Sequence, residues 1–256
     1  MSKIFTVINQ KGGVGKTATA YNVSYSLSQL GKKTLLVDMD PSRNATKPYC
    51  EEVDKDKCII SVLTDKSYDP RKAIFPAQSD AGTLENLFIL PSHVSLAIFQ
   101  KVISGIAHKE KLLLKQLEKV RYEYDYIFVD CPPMLSEFSI IALYAADWII
   151  VPLKYETDAI EGIGDLFAAI SEVKEDQEFD IRILRNGLDF RKKDIIAKID
   201  PVLEPFVKEG KVFTTIIRQD EDINKAKAEQ LPLALFSPKS RGAMDYAELT
   251  KEILNV

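Results

Sequence analysis

Gln10-Lys11-Gly12-Gly13-Val14-Gly15-Lys16-Thr17 follows a short apolar run, Ile4 to Ile8, and leads into a stretch from Thr17 to Leu30 where Ala20, Val23, Leu27 and Leu30 recur at spacings of three and four. Strand, glycine-rich turn and amphipathic helix therefore come in succession, and Gly31 stops the helix. Glycines let backbone N–H groups turn toward an anion at the helix N-terminus. Lys16 can reach the β- and γ-phosphates of a nucleotide, and the Thr17 hydroxyl suits Mg2+. A glycine turn without a ligand would explain neither lysine nor the threonine. The ordinary phosphate loop, G-x-x-x-x-G-K-[ST], asks for glycine where this chain has Gln10, and the chain gains Lys11 and Gly12 instead.

Outward from this loop, short β-branched or apolar runs alternate with helical stretches, the pattern of βαβ units around a buried parallel sheet. Strands are expected at Ile4 to Ile8, Thr34 to Val37, Leu87 to Leu90, Tyr126 to Val129, Trp148 to Val151, Ile181 to Leu184 and Val212 to Ile217. Helices are expected at Lys109 to Val120, Ser136 to Tyr144, Ile160 to Val173 and Ala243 to Leu254. The fold class is α/β: a mostly parallel twisted sheet flanked by helices on both faces, in a single P-loop domain over residues 1–256. Residues 47–81, where Pro, Asp, Lys and Ser interrupt short apolar clusters, read as a peripheral insertion.

Composition narrows the function. The 256 residues are 46% hydrophobic and 28% charged, so a disordered or fibrous chain is excluded. With 34 Lys+Arg against 38 Asp+Glu, the net charge of −4 argues against coating nucleic acid through bulk positive charge. Cys50, Cys58 and Cys131 lack C-x-x-C spacing and read as reduced thiols, and His93 and His108 are too isolated for a zinc site. Neither a signal peptide nor an apolar run of the ~20 residues a membrane span needs is visible, so a cytoplasmic protein is expected.

Two further stretches end strands in carboxylates. Leu36-Val37-Asp38-Met39-Asp40-Pro41 places Asp38 and Asp40 at the carboxyl end of a strand, where open α/β sheets bind ligands. Read alone, the pair serves equally well to cap a turn. Asp125-Tyr126-Ile127-Phe128-Val129-Asp130-Cys131-Pro132-Pro133 is an apolar strand ending in Asp130 and a rigid turn, a combination also common without function.

Lys11-Gly12-Gly13-Val14-Gly15-Lys16-Thr17 resembles the deviant Walker A box of the ParA/MinD family of P-loop ATPases, closest to its ParA-type (Soj-like) partition branch. The resemblance implies ATP and Mg2+ as ligands, bound through Lys11, Gly12, Gly13, Val14, Gly15, Lys16 and Thr17. It implies that Lys11 reaches across a homodimer to the other subunit's nucleotide. Lys16 and Asp40 would then join Lys11 in catalysis, Asp40 orienting the attacking water. Thr17, Asp38 and Asp130 would lie at or near the metal, Asp130 acting through a water as in a Walker B strand. The family commonly has glutamine after its Asp-Pro pair, where this chain has Ser42. Val151 to Glu156 with Ala159 and Gly162 resembles a segment that helps build the family's dimer face. Ser237 to Ala243 with Tyr246, Leu249 and Glu252 is similar to the closing motif of ParA proteins. Asn186 matches a position that often contacts adenine, although Asn186-Gly187 is also an ordinary turn sequence.

Three branches share such a loop. MinD-type proteins bind membranes through a basic amphipathic C-terminal helix, whereas this chain ends Thr250-Lys251-Glu252-Ile253-Leu254-Asn255-Val256, so no membrane partner is expected. Iron-carrier and nitrogenase-type relatives need interface cysteines, and Cys131 stands alone. The partition branch implies nucleoid association, non-specific DNA binding and a ParB-type centromere-binding partner that stimulates hydrolysis. A related ATPase that positions a protein cargo would share the same core. Residues 181–256 hold 14 Lys+Arg against 12 Asp+Glu, a net of +2 that leaves −6 for the remainder. Arg191, Lys192, Lys193, Arg218, Lys225, Lys227, Lys239 and Arg241 are candidate phosphate contacts. Against this stands the acidic run Asp220-Glu221-Asp222, in a stretch where the family often has an arginine. The first strand begins at Lys3, so no N-terminal helix-turn-helix extension is expected.

Overall fold

The computed structural model describes residues 2–50, 52–79, 82–156, 163–175 and 177–256. Among these, β1 (Lys3–Val7), β2 (Thr34–Asp38), β3 (Phe75–Ser79), β4 (Gly82–Leu90), β5 (Tyr126–Asp130), β6 (Trp148–Lys154), β7 (Asp180–Leu188) and β8 (Val212–Arg218) form one sheet, in the order β3-β4-β2-β5-β1-β6-β7-β8. Neighbouring strands are parallel except for the edge pair β3 and β4. The helices are α1 (Lys16–Gln29), α2 (Ile59–Thr64), α3 (Leu96–Ser104), α4 (Leu112–Leu117), α5 (Glu137–Ala145), α6 (Ile163–Val173), α7 (Lys193–Lys208), α8 (Glu221–Ala228), α9 (Leu233–Phe236) and α10 (Arg241–Leu254). The α/β class read from the sequence is the observed one.

Central strands are buried on both faces, so their side chains alternate between two apolar layers instead of between core and water. Ile4, Leu35, Ile127 and Ile149 pack with Leu63 of α2, Ile103 of α3, Leu113 of α4, Ile141 of α5 and Ile170 of α6. Phe5, Leu36, Phe128 and Ile150 face the other way, onto Val23 and Leu27 of α1, Ala226 of α8, Leu233 of α9 and Leu249 of α10. A smaller cluster joins Leu153, Ile183 and Val212 to Ile199 and Leu203 of α7.

Several elements differ from the sequence reading. Part of residues 47–81, read as a peripheral insertion, is integral: Ile59, Ile60, Val62 and Leu63 of α2 are buried in the core, and β3 closes one sheet edge. The expected helix at Lys109 to Val120 is broken, with a 3-10 turn at Lys109–Lys111 ahead of α4. Pro201 and Pro205 mask α7 in the sequence, because proline removes an amide donor and crowds the preceding turn. The acidic run after β8 has a structural role: Asp220 caps α8 by accepting from the Asp222 amide, and acids in a first helical turn complement the helix dipole. Asn186 is a strand residue, paired with Lys154 and Ile217, so the turn alternative for Asn186-Gly187 fails.

Candidate nucleotide site at the carboxyl edge of the sheet

Strand register assembles the site. Val7 of β1 and Asp38 of β2 both pair with Asp130 of β5, so three strands end at one level, with two carboxylates side by side. The loop between β1 and α1 rises over this edge. Pro152 sits within β6 on the side where β1 has already ended, so its missing amide breaks no ladder there. Its carbonyl accepts from Asn9 Nδ2 at 2.8 Å, and Asn9 Oδ1 accepts from the Lys11 amide at 3.0 Å, which fixes the start of the loop.

Gly13 and Gly15 take φ of +75° and +97°, values that favour glycine. At Gly15 space is the second constraint. A Cβ there would lie 2.1 Å from Asn186 Nδ2, which donates to the Val14 carbonyl at 2.5 Å. The candidate adenine contact thus braces the phosphate loop with its amide nitrogen. Lys16 opens α1, nearly buried, with Nζ donating to the Lys11 carbonyl at 2.9 Å. Burial lowers its pKa, against the pull of Asp130 and Asp40, which favour the ammonium.

The acids divide by environment. Asp38 is fully buried: Oδ1 accepts from the Asp40 amide at 2.9 Å, and Oδ2 accepts from the Thr46 amide and hydroxyl at 2.9 and 2.7 Å. Burial outweighs those donors and pushes its pKa up to about 6. Asp130 is also fully buried, and neither carboxylate oxygen completes a hydrogen bond among the described residues. Burial, then the neighbouring Asp38, raise its pKa well above the carboxylate range, while Thr17 and Lys16 lie close enough to temper the rise. Asp40 keeps 8% of its surface exposed. Its Oδ1 accepts from the Ser42 amide at 2.8 Å, and its second oxygen accepts no hydrogen bond among the described residues. Ser42 thus holds Asp40 through its backbone, so the departure from the family's glutamine leaves this contact in place. The Cys131 thiol is driven up by burial and by Asp130, in keeping with a packing role.

Lys11 stands at the rim with its side chain 32% exposed, ion-paired with Glu156 at 2.8 Å, and Glu156 also meets Lys154 at 2.5 Å. Sequence reading gave Glu156 no such role, since 145 positions separate it from Lys11. Thr46, which holds Asp38, was likewise missed. Asp40, Glu156 and Asn186 line the same cleft of about 550 Å3 as Gly12, Gly13, Gly15, Lys16 and Thr17. Val14 is buried behind the loop. Ala159 and Gly162 lie outside the described residues.

The candidate DNA contacts scatter. Arg218 is committed to Asp245: its amide donates to Oδ2 at 2.9 Å and its guanidinium grips both oxygens, stitching β8 to α10. Arg191 pairs with Asp189 at 2.8 Å and Lys225 with Asp222 at 3.1 Å. Lys192 and Lys227 face the nucleotide cleft, and Arg241 lines a separate hollow beside Phe190. Lys192, Lys193, Lys227, Lys239 and Arg241 form no ion pair among the described residues.

A mostly parallel sheet with a glycine-and-lysine loop between β1 and α1, and carboxylates ending β2 and β5, defines a P-loop nucleoside triphosphatase. A family model described as an AAA domain matches residues 2–183. The sporulation initiation inhibitor protein Soj of Bacillus subtilis is 36% identical over 257 residues, spanning 99% of this chain and 98% of that protein. A putative plasmid partition protein from Borrelia burgdorferi bound to AMPPNP has a TM-score of 0.80 at 27% identity, over 99% of this chain and 98% of that one. Cobyrinic acid a,c-diamide synthase from Mycobacterium smegmatis with bound ADP and magnesium also has a TM-score of 0.80 at 27% identity, covering 99% of this chain and 94% of that one. The chain belongs to the ParA/Soj family of P-loop ATPases.

Proposed function

We propose that this chain is a ParA-type partition ATPase. It binds ATP with magnesium, closes into a homodimer across the nucleotide, and holds DNA without sequence preference in that state. It hydrolyses ATP when a ParB-type centromere-binding protein acts on it, and so moves a plasmid or chromosome while associated with the nucleoid. The observation that carries this reading is the extra lysine at the start of the loop: Lys11 lies at the cleft rim rather than inside it.

Each residue's part follows from its surroundings. Backbone amides of Gly12 to Thr17 turn to the phosphates. Lys16 exchanges the neutral Lys11 carbonyl for a phosphate oxygen, a charge-assisted and therefore stronger bond. The site suits a magnesium ion, because Asp130 offers two buried oxygens that complete no hydrogen bond among the described residues, with the Thr17 hydroxyl close by. Thr17 would hold the ion, with Asp38 and Asp130 behind it, and the ion would supply neutralisation of phosphate charge. Asp40 is anchored through one oxygen and has the other to align a water. Lys11, released from Glu156, would bring its charge to the facing subunit's nucleotide. DNA contact would draw on Lys193, Lys239 and Arg241, which form no ion pair among the described residues, a modest set of charges that doubles in a dimer.

Light scattering with ATP and Mg2+ tests the cycle. The wild type should shift from monomer to dimer and Lys11→Ala should not, whereas Asp40→Ala should dimerise and turn over slowly. An unshifted wild type, or a Lys11→Ala chain that dimerises normally, refutes the reading. DNA retention should require ATP and fall steeply with salt.

A further inference from the structure

Among the described residues β8 ends the sheet and pairs with β7 alone. Its residues Val212-Phe213-Thr214-Thr215-Ile216-Ile217 are all β-branched or aromatic and carry no charge, proline or glycine. A neutral, strand-prone segment at a sheet edge is a template for pairing with another chain. Thr214, in its middle, is exposed.

Side chains close this edge where a ninth strand could add. Ile183 pairs with Val212 but Arg185 pairs with Ile216, so β8 holds two residues more than β7 over this stretch and bulges. In the bulge the Thr214 and Thr215 amides donate to Glu252 Oε1 and Oε2 of α10, at 2.8 and 3.0 Å. The Phe213 and Thr214 carbonyls accept from Arg185 Nη2 at 3.3 and 3.1 Å. Further along, the Arg218 amide donates to Asp245 Oδ2 at 2.9 Å. Burial opposes the Glu252 charge, yet the Thr215 and Thr214 donors outweigh it and lower its pKa, so the acceptor is ionised at neutral pH.

Spacing lets a helix do this. Asp245 and Glu252 are seven positions apart, about 10.5 Å along α10 and on one face of it. Thr215 and Arg218 are three positions apart, about 10 Å along a strand. The later carboxylate meets the earlier amide, so the two elements run in opposite directions, and Leu249 between the carboxylates anchors α10 in the core. We propose that Asp245 and Glu252 guard the β8 edge, and that the partner they exclude is β8 of a second copy of this chain. Two such edges related by a two-fold axis are antiparallel and would join into one continuous sheet. That contact needs no nucleotide and is separate from the dimer reading above. It also gives a part to Glu252 of the closing stretch, whose chemistry the nucleotide site does not use.

Sedimentation velocity without nucleotide, at rising protein concentration, tests this. Glu252→Ala should self-associate at least about tenfold more tightly than wild type. Glu252→Gln keeps the side-chain shape and one acceptor oxygen, so it should associate to a lesser degree, and it serves if the alanine variant fails to fold. Thr214→Lys puts a charge on the exposed edge and should return Glu252→Ala to the wild-type state. Amide exchange at residues 214–215 should quicken in dilute Glu252→Ala and slow again as it associates. Folded Glu252→Ala and Glu252→Gln chains that associate no more than wild type overturn the guard, however fast those amides exchange. Association that Thr214→Lys leaves unchanged overturns the assignment to β8.

Discussion

Replacing Gly15 by alanine strikes the loop through two separable effects. The backbone at Gly15 has φ +97°, a left-handed conformation that costs an L-residue about 1–2 kcal/mol. The new Cβ would also lie 2.1 Å from Asn186 Nδ2, so the Asn186 side chain must withdraw. Withdrawal breaks its hydrogen bond to the Val14 carbonyl, and leaving a buried acceptor unpaired costs about 1–3 kcal/mol. The sum is about 2–5 kcal/mol, which for a chain of this size lowers Tm by roughly 5–15 °C. Asn186→Ala removes the obstructing amide, so the two substitutions should combine to less than their sum. Urea unfolding of the wild type, both single variants and the double variant closes the cycle, with a coupling of at least about 1 kcal/mol expected. Additivity within about 0.5 kcal/mol, or a Gly15→Ala loss below about 1 kcal/mol, would refute the idea that Asn186 braces the loop.

Lys174, 3% exposed, donates to the Tyr144 and Ala146 carbonyls and to Gln177 Oε1, and burial lowers its pKa to about 8. The unfolded chain then holds more protons between about pH 8 and 10.5, so stability should rise with pH across that window, by about 1 kcal/mol between pH 7 and 9.5 after allowing for solvent screening. Lys174→Met should flatten the rise in urea titrations, and an equal slope in both proteins would contradict this. Arg218→Ala should destabilise the fold by about 2 kcal/mol, because it strands the nearly buried Asp245 carboxylate. Its effect on DNA retention should vanish once folded protein is compared at equal concentration, and a selective DNA defect would restore Arg218 as a contact.

Much of the candidate site was legible because its residues are contiguous in the chain. Lys11 to Thr17 form a single turn of chain, Asp38 and Asp130 each end an apolar strand, and Asp40 follows two residues after the first of these, so local spacing displays residue type and position together. The two-layer sheet was legible for a similar reason, since buried strands with short connections leave continuous β-branched runs. Edge strand β3 was not, because Phe75-Pro76-Ala77-Gln78-Ser79 has little β character and its ladder depends on β4.

Local spacing could place the loop, the strand-end acids and the helix that follows, because those features depend on neighbours a few residues away. Long-range folding settled which acids crowd together, which cations are already spent and which glycine is locked. The pairing of Asp38 with Asp130 comes from strand register, the bond between Arg218 and Asp245 from α10 folding back on β8, and the clash waiting at Gly15 from a strand residue 171 positions later. Charge and burial depend on distance in space, and a chain that returns to its own beginning brings together groups that composition counts separately.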